Sequence, residues 1–186
     1  MSNTDKRIVI LTEDELGKTL SRLTFEIIEK IPDLDNLLLV GIPTRGVHLV
    51  EVLRKEMFAK TGVNVKTGII DPTFYRDDQN KVGTRLIKAT DIPISIEKKD
   101  IVLVDDVIYT GRTIRAAIDA LLSWGRPKSV MLLVMIDRGH RELPIQPDFC
   151  GRKVPTSKKE TIYLCLKQVD GEQGIFLDNK TLKDTT

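Results

Sequence analysis

Ile101-Val102-Leu103-Val104-Asp105-Asp106-Val107-Ile108-Tyr109-Thr110-Gly111-Arg112-Thr113 is the stretch that decides the fold. Its first four residues are apolar and mostly β-branched, the composition of a short strand covered on both faces. The run meets two adjacent carboxylates, which a strand interior does not bury unpaired, so the pair belongs at a strand's carboxyl end. In open α/β sheets, ligands collect in the crevice outside those ends.

Beyond the carboxylates, the apolar positions Ile114, Ala117, Ile118, Leu121 and Leu122 recur at helical spacing. The Thr-Gly-Arg-Thr turn before them presents backbone N–H groups, hydroxyls and the positive end of a helix dipole, a site for an anion such as phosphate. Gly111 permits the tight turn, and Thr110 and Thr113 add donors. Carboxylates beside a phosphate cradle suit a ligand that also carries sugar hydroxyls or a bound Mg2+. Neither GxGxxG nor GxxxxGK[ST] occurs in the chain.

A second strand tip has the same design. Leu37-Leu38-Leu39-Val40 is followed at once by Gly41-Ile42-Pro43-Thr44-Arg45-Gly46, after which Val47, Val50, Leu53, Arg54 and Met57 resume helical spacing. Thr44 and Arg45 therefore stand at another helix start, ready for another anion. The competing assignment makes Arg45 an ion-pair partner and Gly46 a plain turn. Before this tip, Ile8 to Leu11 is a short apolar run, and Thr12 and Glu15 have capping-box spacing. They open a helix whose apolar face is Leu16, Leu20, Leu23, Ile27 and Ile28 and which ends near Pro32.

Val63 to Ile70 alternates as a strand does, whereas residues 71 to 85 have no sustained periodicity, the mark of a functional or disordered loop. Val130 to Ile136 is the third long apolar strand. Strand and helix patterns thus alternate from 37 to 136, which argues for a parallel sheet covered by helices, with both anion loops at one edge. From Asp137 the character changes: Pro144, Pro147, Pro155, Gly139 and Gly151 preclude long helices, and basic residues outnumber acidic ones up to Glu160. Thr161 to Val169 reads as a strand, with Phe176-Leu177 pairing at an edge.

A chain of 186 residues with 41% hydrophobic content suits one packed domain. The net charge of +2 does not by itself indicate nucleic-acid binding. Cys150 and Cys165 are too few and wrongly spaced for a disulfide framework or a cysteine zinc site. No run approaches the ~18 apolar residues of a membrane span, and the polar start lacks a signal-peptide core, so a cytoplasmic protein without membrane association is expected. His48 falls on a helix as a half-buried residue, and His140 suits a local hydrogen bond better than a metal.

The stretch from Ile101 to Thr113 resembles the phosphoribosyl pyrophosphate (PRPP) signature of type I phosphoribosyltransferases, agreeing in type and order throughout. The resemblance implies that family's α/β fold as a single domain over 1–186, with a central parallel sheet flanked by helices. It also implies a flexible loop at about 71–90 and a small hood at about 137–165 joined by the N-terminal segment. On this resemblance Val107, Ile108, Tyr109, Thr110, Gly111, Arg112 and Thr113 hold the 5-phosphate, though Arg112 at a helix start can equally face solvent. Asp105 and Asp106 orient the ribose hydroxyls directly or through Mg2+. Thr44, Arg45 and Gly46 receive the diphosphate, with Arg76, Lys81 and Arg85 closing from the loop, and Asp105, Asp106 and Arg45 carry catalysis.

Tyr109 stands where purine enzymes of the family usually have a carboxylate, which speaks against a purine; on the resemblance uracil would sit under the hood, contacted by Asp137, Arg138 or backbone groups and flanked by Ile162. The Asp137-to-Ile145 run, the Val154-Pro155-Thr156-Ser157 turn and Tyr75-Arg76-Asp77-Asp78 are similar to one subgroup, uracil phosphoribosyltransferases that also act as attenuators of pyrimidine operons. That similarity implies UMP or UTP as effector, leader mRNA as partner and a homodimer or larger homo-oligomer. Arg22, Lys30, His140, Arg141, Arg152 and Lys158 are the candidate RNA contacts. The alternatives are an attenuator whose transferase activity is secondary, and a transferase for another base.

Overall fold

A computed structural model describes residues 7–77 and 89–178. The elements run β1 (Ile8–Leu11), α1 (Glu13–Lys30), β2 (Leu37–Gly41), α2 (Arg45–Thr61), β3 (Lys66–Ile69), β4 (Asp100–Ile108), α3 (Arg112–Leu122), β5 (Ser129–Asp137), β6 (Phe149–Lys153), β7 (Thr161–Cys165), α4 (Lys167–Asp170) and β8 (Gly174–Asp178).

Five strands form a parallel sheet in the order β3-β2-β4-β5-β6. From β2 the chain goes outward to β3, then returns to the other side of β2 as β4 and proceeds the opposite way. The order therefore reverses between β2 and β4, and their carboxyl ends flank a topological switch point, where α/β sheets bind ligands. Alternate side chains feed two cores. Leu39, Val102, Val104 and Leu133 pack under α1 and α2, while Leu38, Val40, Leu103 and Val134 pack against Ile114, Ala117 and Leu121 of α3.

The capping box at Thr12 forms: the Thr12 hydroxyl accepts from Glu15 N–H, and the Glu15 carboxylate accepts from Thr12 N–H at 2.9 Å. That second bond, then the Thr12 hydroxyl, holds the Glu15 carboxyl below the usual range. Leu16, Leu20, Leu23 and Ile27 are buried as the spacing predicts.

Four boundaries differ from expectation. β4 does not stop at the carboxylates; its pairing with β2 ends at Val104, whereas pairing with β5 continues to Ile108. Asp105 and Asp106 therefore sit where β2 has run out and the crevice opens. Phe149–Lys153, inside the expected hood, is the fifth strand of the main sheet. The hood is instead an antiparallel sheet β1-β8-β7, so Phe176 and Leu177 lie in its central strand, not at an edge. The strand expected over 161–169 ends at Cys165, because the Asp170 carboxylate accepts the Leu166 N–H at 2.8 Å and the chain turns into α4. Among the described residues no helix is long and apolar enough to cross a membrane.

Candidate active site

Two neighbouring cavities, of about 260 and 430 Å3, open at the switch point. The smaller is walled by Val107 to Ile114 with Glu142, the larger by Ile42 to Arg45 with Asp106. Arg76, Asp105, Val107 and Thr113 line both, so they form one continuous crevice. The two tips are locked together by backbone: Ile42 N–H donates to the Val104 carbonyl at 2.9 Å, and Gly46 packs on that carbonyl. The Pro43–Thr44 peptide bond is cis.

In the smaller cavity Gly111 adopts φ +91°, a left-handed conformation open to glycine, and starts α3. The first residues of that helix, Arg112, Thr113 and Ile114, line the cavity. The Thr110 hydroxyl accepts from Arg112 N–H at 3.4 Å, and the Thr113 hydroxyl accepts from Arg76 Nη1 at 2.6 Å. Arg112 turns to carboxylates, Glu142 and Asp77, each at 2.7 Å, and lines the cavity wall as an ion-pair partner.

Asp105 is buried and accepts from Asp106 N–H, while Asp106 accepts from Val107 N–H, both at 2.9 Å. No group of three or more His, Cys, Asp or Glu able to hold a metal exists among the described residues. A pair of carboxylates facing a phosphate-sized crevice instead fits Mg2+, which keeps waters and completes its shell with substrate oxygens.

Arg45 lines the larger cavity and also bonds the hood, donating Nε–H to the Leu164 carbonyl and Nη2–H to Asp170 at 2.8 Å. Arg45 thus makes an ion pair, as the competing assignment has it, while still lining the larger cavity. Sequence reading did not single out Asp170, for which no local pattern exists. Lys81 and Arg85 lie outside the described residues, as does most of the loop expected over 71–90.

A third cavity, of about 350 Å3, lies at the turn over residues 154–160 that leads from β6 into the hood, the hood turn, and is lined by Asp137, Arg138, Gly139, His140, Lys153, Pro155 and Thr156. Tyr109 connects it to the crevice: it lines the smaller cavity while Arg138 lies over its ring at 4.3 Å and His140 meets it edge-on at 5.6 Å. Arg138 is buried and spends its guanidinium on the turn, donating to the Thr156 hydroxyl and the carbonyls of Ser157 and Glu160. Burial pushes its pKa down, with Tyr109 and Glu160 opposing. Asp137 accepts from Gly139 N–H at 2.9 Å and pairs with Arg141 at 2.8 Å. His140 makes the expected hood hydrogen bond, Nε2 to the Thr156 carbonyl at 2.5 Å. Ile162, expected to flank the base, is instead 6% exposed in the core and lines none of these cavities. Alternation along β7 turns it inward. Lys153 and Pro155 take places that sequence reading did not assign.

The RNA candidates do not form one patch. Arg22, Lys30 and Arg152 follow the seam between α1 and β6, bonded to the Gly151 carbonyl, Asp148 and the Ile10 carbonyl. Lys158 is exposed on the hood turn. His140 lies at the third cavity, and Arg141 points inward to Asp137 and the carbonyls of Tyr109 and Ile145.

Residues 10–167 match the family model of the phosphoribosyl transferase domain. The chain is 49% identical to the bifunctional protein PyrR of Microcystis aeruginosa, over 94% of this chain and 98% of that one. It is 47% identical to the bifunctional protein PyrR of Limosilactobacillus fermentum, over 92% and 97%. Its fold is that of a hypoxanthine phosphoribosyltransferase from Staphylococcus aureus, with a TM-score of 0.71 at 19% identity over 97% and 98% of the chains. A hypoxanthine-guanine phosphoribosyltransferase from Bacillus anthracis aligns with a TM-score of 0.66 at 16% identity, over 91% and 96%.

Proposed function

Because the chain belongs to the phosphoribosyl transferase family, and within it to the bifunctional PyrR proteins, we propose that its crevice binds PRPP across two strand tips and transfers the phosphoribosyl group to uracil. The bond from C1′ to diphosphate breaks, the bond from uracil N1 to C1′ forms, the N1 proton leaves, and UMP and diphosphate are released. The observation that carries this reading is the continuous crevice that both anion loops line, with Asp105 common to its two halves.

The chemistry needs placement and charge more than covalent help. Amides at the start of α3, with the Thr110 and Thr113 hydroxyls, hold the 5-phosphate. Asp105 and Asp106 orient the ribose and lie beside the positive charge that develops at C1′ as the leaving group departs. Thr44, Arg45 and Gly46 receive diphosphate, joined by Arg76, which touches Thr113 and spans both halves. Mg2+, held by the two carboxylates directly or through ribose and water, would neutralise charge on the leaving diphosphate. Uracil enters beside Tyr109 under the hood turn, toward Asp137. Arg138 acts there by holding the turn and backing the Tyr109 ring. Purified protein with Mg2+, PRPP and uracil should yield UMP; turnover of hypoxanthine or guanine without uracil would refute the assignment.

The chain also regulates pyrimidine operons, binding leader mRNA with UMP or UTP as effector. The α1–β6 seam, which Arg22, Lys30 and Arg152 follow, favours this reading as a basic strip for phosphates. Phe25 on α1, 58% exposed, departs from the histidine that attenuators often carry there. Filter binding of the leader RNA across a salt series tests it, and a flat, weak response would leave the enzyme alone. The reading keeps the protein in the cytoplasm as a homodimer or larger homo-oligomer, in keeping with the free thiols of Cys150 and Cys165.

A further inference from the structure

Arg45 is fixed by residues far along the chain. A guanidinium has a side edge, made by Nε and one Nη, and an end edge made by the two Nη groups. In Arg45 the side edge is taken by the hood: Nε–H donates to the Leu164 carbonyl, and Nη2–H donates to Asp170 Oδ1 at 2.8 Å. Asp170 is itself held, since its Oδ2 accepts the Leu166 N–H at 2.8 Å. Leu164 is the next-to-last residue of β7 and Asp170 ends α4, so both grips come from one corner of the hood. Arg45 lines the larger cavity and Asp170 does not, so the carboxylate holds the arginine from outside the anion space.

We propose that Asp170 is a positioning residue for the diphosphate half of the site, holding Arg45 so that its end edge meets the leaving group. This deepens the assignment of residues 44–46 to diphosphate and rests on it. An unrestrained arginine would have to order its long side chain when the ligand arrives, whereas one already gripped on its side edge has that ordering behind it. The pair is partly exposed, 27% for Arg45 and 23% for Asp170, so it contributes orientation more than net stability. The hood thereby serves the diphosphate end of the substrate as well as the base end.

The test uses full-length wild type, Asp170→Ala and Asp170→Asn. KM for PRPP, KM for uracil and the Kd of Mg-diphosphate by titration calorimetry are measured for each. Asp170→Ala should raise the PRPP KM and the diphosphate Kd about tenfold while leaving the uracil KM within about twofold, as expected for loss of one charge-assisted contact. Asp170→Asn keeps one of the two oxygen acceptors, and turned toward Arg45 it should recover part of that loss. In an Arg45→Ala background, Asp170→Ala should add less than about twofold, because its effect passes through the arginine. An unchanged diphosphate Kd, equal rises in both KM values, or full additivity with Arg45→Ala would overturn the proposal. Diphosphate titration does not depend on the base, so failure of wild type to use uracil would sink the uracil assignment alone, and failure to bind diphosphate would sink both.

Discussion

A Cβ built on Gly46 would stand 2.2 Å from the carbonyl oxygen of Val104. The start of α2 therefore rests directly on the β4 backbone, one residue before Asp105, and no side chain fits between. Gly46→Ala must push the two tips apart. It should cost about 1–3 kcal/mol of stability, as overpacking does, and weaken PRPP binding more than uracil binding. Thermal melting and separate KM values check this; a variant with wild-type PRPP affinity would show that the close approach has no functional weight.

Asp105→Asn keeps the oxygen that accepts the Asp106 N–H and removes the charge that the proposed mechanism sets beside C1′. The expected result is a loss of roughly 100-fold in kcat, the scale of a single electrostatic contact to a transition state, with a melting temperature close to wild type. Steady-state kinetics with uracil give the answer.

Arg141 and Lys158 should separate cleanly. Arg141 is 13% exposed against Asp137 at 10%, and removing one member of such a pair leaves the other uncompensated. Arg141→Ala should therefore cost about 3–5 kcal/mol. Lys158→Ala should change stability by less than about 0.5 kcal/mol and act only on RNA affinity and its salt slope. Denaturant titration of both variants distinguishes these roles.

Asp100 gives a pH dependence with a definite sign. Burial raises its carboxyl, but hydrogen bonds from Lys128 and Ser129 outweigh burial and hold it below the ordinary 3.8. The folded protein thus releases this proton more readily than the unfolded chain. The stabilisation is complete above the ordinary value and drains away as pH falls through the lower folded value. Asp100→Asn should cost about 1 kcal/mol at pH 7, modest because Lys128 is 64% exposed. The gap to wild type should shrink below about pH 4 in urea titrations; a gap that widens there would reverse the sign.

The parallel sheet and both strand tips were legible in the sequence because each is local: an apolar run, then a turn whose glycine and hydroxyls announce a helix start. The capping box at Thr12 was legible for the same reason. What escaped depends on distant pairing. Phe149–Lys153 joins β5 although it is short and largely polar, and Phe176-Leu177 lies inside a sheet completed by the first strand of the chain. The resemblance assigns Arg138 to the base and Arg141 to RNA, and only the folded turn shows their guanidiniums spent on Glu160, Ser157 and Asp137. Asp170 finds Arg45 across 125 positions, a relation no window of sequence contains.

The most direct measurement is a crystal structure of the protein with Mg2+ and PRPP. The account predicts one ligand spanning the crevice, its 5-phosphate on residues 110–113 and its diphosphate on residues 44–46, with the ribose over Asp105 and Asp106. Both phosphate groups on a single loop, or a ligand bound away from the β2 and β4 tips, would contradict it.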